Sequence, residues 1–298
     1  MQGIERVGVV GAGALGTAVA GACVRADRDV LLVDRSRSAA EHGRMRLLDR
    51  LDRDVRTGRL SDAERERAAW RLRVTTDPGE LTDRELVVEA VTEDASVKRD
   101  VLGTVSGVVK TDDALIATTT SSLPVTLLAG ATDRPGAVVG LHFLPPAPVL
   151  PLVEIVPALG TEPRTVDRAE LFVTHTLRRR TLRVPDRAGF VVHTLIVPYL
   201  LAAIRLVEAG TATAEDVDAA MRVGCAHPTG PLELADLIGL DTLARVADSM
   251  HAEHCEPQFV TPALLRRMVE AGRHGRRSGR GFHSYPSKAY PLPYEEIA

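Results

Sequence analysis

Three glycines in the run GVVGAGALG, Gly11, Gly13 and Gly16, have the spacing that a dinucleotide pyrophosphate requires. The first allows a tight turn after a strand, the second lets the phosphates approach the backbone, and the third lets helix and strand pack closely. Ala14 and Leu15 then open a helix whose unpaired N–H groups and positive dipole end face the phosphates. Asp34 closes the next strand, 18 residues after Gly16, where a carboxylate can accept from ribose hydroxyls and repel a 2′-phosphate. This favours NAD over NADP, although Arg35 and Arg37 follow at once and weaken the preference. His142 sits just past a short strand, and its near-neutral pKa suits it to moving a proton. Glu154, twelve residues on at the next strand, can orient the imidazole and stabilise its cationic form.

The elements that must position these residues alternate in type. Val7–Val10, Val30–Val33, Leu86–Glu89, Ala114–Thr118, Val138–Leu141 and Val153–Val156 read as short, buried strands. Near-continuous apolar strands separated by helical stretches imply a parallel sheet covered on both faces. The expectation is an α/β, Rossmann-type doubly wound sheet with His142 at its carboxyl end, where ligands bind. Ser36 to Arg73 is too long and too helix-prone for a loop, and reads as a helical pair inserted between the second and third strands. After Pro185 the strands stop. Gly189–Glu208 reads as an apolar helix kinked at Pro198, Thr213 caps Ala214–Arg222, Pro231 opens a helix through Leu237, and Pro262 opens Ala263–Ala271. The run GRHGRRSGRGFHSY reads as a basic, glycine-rich turn region. Two domains are expected, residues 1–186 and an all-α domain over residues 187–298.

Composition narrows the class. The chain has 298 residues, 45% of them hydrophobic and 26% charged, which excludes disorder as the main state. A net charge of −3 gives no reason to recruit nucleic acid or anionic lipid. Cys23, Cys225 and Cys255 are odd in number and widely spaced, which argues against a disulfide framework and fits a reducing cytosol. The start, MQGIERVGVV, lacks the pattern of a secretory leader, and Phe190 to Ile204 is too short and too interrupted to span a bilayer. A cytoplasmic protein without membrane contact is expected. His251, His254 and Cys255 crowd one turn with no further ligand pair, so no metal is expected. Only Lys98, Lys110 and Lys288 are lysines among 37 basic residues, which raises the question of whether a compact ammonium is needed at each.

Six further segments follow in a fixed order: VVEAVTEDASVK, TTTSSLP, GLHFLPPAPVLPLVEIV, GFVVHTLIVPYL, CAHPTGPLELADLIGLDT and GRRSGRGFHSY. Together with GVVGAGALG they resemble the 3-hydroxyacyl-CoA dehydrogenase family over essentially the whole chain. The resemblance implies NAD-linked interconversion of a short 3-hydroxyacyl thioester and its 3-oxoacyl form, by a protein that is a homodimer through its helical domain. By the same resemblance His142 and Glu154 are the catalytic dyad, and Ser121 hydrogen-bonds the substrate near the nicotinamide. Glu93, Lys98 and Ser121 fall on the cofactor side, and Arg277 stands where the family tends to carry a lysine that reaches the cofactor. The arginines of the helical insert, Arg46, Arg50, Arg53, Arg56 and Arg59, fall where relatives hold the CoA nucleotide. Arg56 and Arg59 are the expected substrate contacts.

Four positions depart from the family pattern. Thr119, Pro145 and His193 replace asparagines, and Thr194 replaces an arginine. The asparagine replaced by His193 is the third catalytic partner in relatives, so His193 is read as its substitute donor. The changes keep three alternatives in view: a hydroxyacyl group on an acyl carrier protein of polyketide extender-unit biosynthesis, a free hydroxy or sugar acid, and a non-enzymatic dinucleotide-binding protein.

Overall fold

A computed structural model of the chain describes residues 3–144 and 151–285, so Pro145 lies outside the described residues. The chain divides into two compact units, Met1–Asp186 and Arg187–Ala298.

The first unit runs β1 (Arg6–Val10), α1 (Ala14–Arg25), β2 (Asp29–Val33), α2 (Arg37–Arg56), α3 (Asp62–Trp70), β3 (Leu72–Thr75), β4 (Leu86–Glu89), α4 (Ala95–Val108), β5 (Leu115–Thr118), α5 (Val125–Ala129), β6 (Val138–Phe143), β7 (Leu152–Pro157), α6 (Pro163–Leu171) and β8 (Arg180–Arg183). All eight strands form one sheet in the order β3-β2-β1-β4-β5-β6-β7-β8. Strand order reverses between β1 and β4, which opens a crevice at their carboxyl ends. Side chains of Val7, Val9, Val30, Leu32, Val88 and Ala117 share one core with α1 and α6. Because side chains alternate along a strand, Glu89, Thr118, His142 and Glu154 project from the opposite face.

Three features differ from the sequence expectation. The helical pair α2–α3 ends at Trp70, because Leu72–Thr75 is a strand, and β8 is a further strand that the sequence does not announce. Both are four-residue edge strands with exposed or partly exposed positions, so neither presents a buried apolar run. The sheet is also not parallel throughout, since β7 runs antiparallel to β6. Only eight residues separate Phe143 from Leu152, too few for the crossover a parallel neighbour needs.

The second unit is helical: α7 (Val192–Glu208), α8 (Ala214–Ala219), α9 (Pro231–Ile238), α10 (Leu240–His254) and α11 (Ala263–Glu270). Pro198 lies inside α7, and Thr213 caps α8 by accepting from Asp216 N–H. α10 is absent from the sequence reading, although Leu240, Leu243, Val246, Ala247 and Met250 have helical spacing and are buried. The segment 275–285 is more than a turn region, because two buried aspartates hold it. Asp218 caps α9 through the N–H groups of Leu232 and Glu233 and lies 2.7 Å from His283 Nε2. Asp236 accepts from the Phe282 and His283 N–H groups and from the Tyr285 hydroxyl.

The hydrogen bond to Asp218 raises the His283 pKa above the ordinary imidazole value, against the opposing effect of burial. A raised folded-state pKa contributes stability that is complete below the unfolded value and is lost as pH rises through the folded value. The His283→Gln variant is therefore expected to melt about 2–4 °C below the wild type at pH 6, on the order of 1 kcal/mol. That gap should narrow toward pH 9, as followed by thermal melts across the range.

Candidate active site

At the carboxyl end of β1 the chain turns through Gly11, whose φ of +107° lies in the left-handed region. A Cβ there would stand 2.5 Å from the Ala90 carbonyl, so β1 and the end of β4 meet only across a glycine. A Cβ on Gly16 would stand 1.8 Å from the Gly11 carbonyl oxygen, which locks α1 close behind the turn. A Cβ on Gly13 would meet nothing within 4 Å. This open space lies at the N-cap of α1, where no side chain caps the helix and no acidic residue occupies the first turn. Ala14 and Leu15 are the first residues of that helix. Asp34 follows β2 directly, accepting from Ala12 N–H at 3.0 Å and from Ser36 N–H at 3.1 Å. The Arg46 guanidinium donates to the Ala12 carbonyl from the other side. An open glycine, an uncapped helix start and a fixed carboxylate at the next strand fit a dinucleotide and its ribose.

The second constellation arises from strand pairing. In the β6–β7 register His142 is directly opposite Glu154, so both side chains leave the same face. His142 Nδ1 lies 2.7 Å from Glu154 Oε2, and both residues are buried. Ser121 Oγ lies 3.1 Å from His142 Nε2. In a neutral ring whose Nδ1–H donates to the carboxylate, Nε2 is the acceptor and the Ser121 hydroxyl donates to it. His142 belongs to β6 itself, one residue before its end, rather than to the segment beyond it.

Ser121 is held from below. Glu93 Oε1 accepts from the Thr120 hydroxyl at 2.6 Å, from the Ser121 and Ser122 N–H groups at 2.8 Å each, and from the Ser122 hydroxyl at 2.9 Å. Burial alone would push the Glu93 carboxyl up, but the Lys98 ammonium and the Thr120, Ser121 and Ser122 bonds outweigh it and hold its pKa below the ordinary range. Lys98 is itself buried, with Nζ 2.8 Å from Glu89 Oε1 and 3.3 Å from Glu93 Oε2. Glu89 and Thr118 were not among the expected residues. The signal for Glu89 lies in VVEAV, where a carboxylate ends a buried strand nine residues before one of the few lysines.

Other expected residues are placed differently. Arg59 Nε lies 3.0 Å from Thr57 Oγ1 and 3.5 Å from the buried Asp54, which also pairs with Arg25 and Arg50. Arg56 is exposed in the last turn of α2. In the second unit Arg277 forms an ion pair with Asp241, and His193 is buried in the first turn of α7. Thr119 is buried and its N–H donates to the Glu89 carbonyl. His254 Nε2 lies 3.0 Å from the Ala188 carbonyl, and His251 Nδ1 lies 3.1 Å from that of Glu256. Among the described residues no helix is long and apolar enough to cross a membrane.

A doubly wound sheet carrying a dinucleotide turn and a Ser–His–Glu chain at its carboxyl ends is the architecture of a nicotinamide-dependent dehydrogenase. Comparison with known proteins makes this specific. Residues 6–187 match the model for the NAD binding domain of 3-hydroxyacyl-CoA dehydrogenase, and residues 189–285 match that for its C-terminal domain. A 3-hydroxybutyryl-CoA dehydrogenase of Mycobacterium tuberculosis is 49% identical over 282 residues, covering 95% of this chain and 99% of the relative. Another, from Bradyrhizobium diazoefficiens, is 35% identical over 290 residues, covering 97% and 98%. The crystal structure of M. tuberculosis FadB2 superposes with a TM-score of 0.93 at 48% identity, covering 95% of this chain and all (100%) of that one. That of the Ralstonia eutropha (S)-3-hydroxybutyryl-CoA dehydrogenase gives 0.88 at 36% identity, covering 95% and 100%. The chain belongs to the 3-hydroxyacyl-CoA dehydrogenase family, and its cofactor is NAD.

The open space at Gly13 separates folding from binding. Gly13→Ala is expected to melt within about 1 °C of the wild type, while its NADH affinity falls about tenfold or more. Thermal melts and NADH fluorescence titration check the two halves independently.

Proposed function

We propose that this protein interconverts a short-chain 3-hydroxyacyl-CoA and its 3-oxoacyl form, with His142 as the acid–base residue. The observation that carries the reading is the unbroken chain from Ser121 Oγ to His142 Nε2 and from Nδ1 to Glu154. Bound NAD supplies the hydride acceptor. In the oxidative direction the C3–H bond yields its electron pair as hydride, the hydroxyl proton passes to His142 Nε2, and a carbonyl forms at C3. Glu154 favours the tautomer that carries its proton on Nδ1, so that Nε2 is the accepting atom, and offsets the positive charge that the ring acquires. Ser121 presents its hydroxyl beside Nε2 and orients the substrate oxygen. In reduction each transfer runs backwards, and His142 donates the proton.

A CoA thioester is favoured over a carrier-protein or free-acid substrate by the names of the relatives, 3-hydroxybutyryl-CoA dehydrogenases at 49% and 35% identity. The exposed Arg56 on α2 remains available for a nucleotide phosphate, whereas Arg59 is already engaged by Asp54 and Thr57. The proposal includes self-association through the second unit, where Leu195 and Leu206 are exposed three turns apart on α7.

With purified protein, acetoacetyl-CoA should drive NADH oxidation, and NADPH should support it at least about tenfold less well because of Asp34. His142→Ala should lower turnover by about a thousandfold while NADH binding stays within about twofold of wild type. Full turnover in that variant would remove His142 from the mechanism. NADH binding without turnover in the wild type would redirect the search to a carrier-bound or free acid.

A further inference from the structure

The Ser121 loop is anchored by a buried charge group that no part of the reaction scheme uses. Glu89, Lys98 and Glu93 place two carboxylates and one ammonium together, and Glu89 and Lys98 are wholly shielded from solvent (0% exposed). Breaking such a group is costly in a low-dielectric interior, so its members hold one another to a single geometry. Lys98 stands closer to Glu89 (2.8 Å) than to Glu93 (3.3 Å). Glu89 is in turn fixed by the Val91 N–H at 2.8 Å and the Thr118 hydroxyl at 2.6 Å, which tie it to β4 and β5. It is therefore Glu89 that sets where the ammonium stands, and the ammonium that sets the angle of the Glu93 carboxylate. That carboxylate gathers two backbone N–H groups and two hydroxyls of the loop that bears Ser121.

We propose that Glu89 is a positioning residue for the reaction, acting through Lys98 and Glu93 to hold the Ser121 hydroxyl against His142 Nε2. The inference rests on the role given above to Ser121. With the charge on Glu89 removed, the Lys98 ammonium has Glu93 as its remaining counterion and draws that carboxylate off the loop N–H groups. Ser121 then loses its fixed distance from the imidazole, and turnover falls without loss of the cofactor.

The test is a double-mutant cycle of Glu89→Gln and Ser121→Ala, read as kcat with NADH and acetoacetyl-CoA, alongside melting temperature and NADH affinity. Glutamine keeps the shape and hydrogen-bonding reach of Glu89 while removing its charge. Glu89→Gln alone should lower kcat about tenfold with NADH affinity within about twofold of wild type. In the Ser121→Ala background it should lower kcat no further, because groups that act as a unit are not additive. Should Glu89→Gln fail to fold, Thr118→Val, which removes the hydroxyl that fixes Glu89 Oε2 and leaves the Lys98 ammonium in place, should lower kcat in the wild-type background and no further in Ser121→Ala. Losses that multiply, or a folded Glu89→Gln enzyme with wild-type kcat, would overturn the inference alone. Full activity in Ser121→Ala would overturn the role of Ser121 and the inference with it.

Discussion

One reversal of strand direction underlies the site. Because β7 returns antiparallel to β6, residue 142 faces residue 154 across a single ladder, and the imidazole and carboxylate meet with no loop between them. Directly paired positions bring side chains within about 5 Å of each other on one face. A parallel neighbour in the same place would need a long crossover and would offset the two groups. The pair sits on the face opposite the α1 and α6 core, with Glu89 and Thr118 on the neighbouring strands of that face. The sheet therefore acts as a rigid plate on which the polar groups share one side, and the adjoining loop adds the serine.

Around the site the first unit gathers several buried charges at the carboxyl edge of the sheet. Glu154 is paired with His142, Glu93 with Lys98 and the serine loop, and Glu89 with Lys98 and Thr118. Each partner offsets the cost of taking an ion out of water, and none can be removed without exposing another. This is a means of rigidity more than of stability. The second unit uses the same device for a different purpose, since Asp218 and Asp236 clasp the segment 275–285 that carries Arg277. In both units the carboxylates fix loops whose sequences are rich in Ser, Thr, Gly and Arg, and in the second unit Phe282 adds an apolar contact to the helical core.

Much of this was legible beforehand. The glycine turn, Asp34, His142, Glu154 and Ser121 are local in sequence or occur in long ordered motifs, and the buried strands are marked by unbroken apolar runs. What stayed hidden was either too short or non-local. The strands β3 and β8 are edge pieces of four residues, stabilised by a neighbour on one side rather than by burial of their own side chains. Glu89 read as the end of a strand because its nine-residue spacing from Lys98 is a weak cue by itself, and nothing in VVEAV reveals that Thr118 also converges on it. Lys98 is the instructive case. Its rarity in an arginine-rich chain pointed to a need for a compact ammonium, and the buried space between two carboxylates supplies that need. Arg59 shows the converse, since a helix face lined with arginines can be neutralised from within by one buried aspartate, Asp54.

The proposed reaction depends on the carboxylate opposite His142 making the imidazole a working acid–base group. The most direct measurement is kcat for NADH-dependent reduction of acetoacetyl-CoA by Glu154→Gln, with its melting temperature recorded on the same preparation. The amide can still accept from Nδ1 and keep the ring in place, but it cannot offset the charge on a protonated imidazole. A fall of about 100-fold or more in a protein that melts close to the wild type is the predicted result. Turnover within about twofold of wild type would contradict the account, because the pairing across β6 and β7 would then be structural alone.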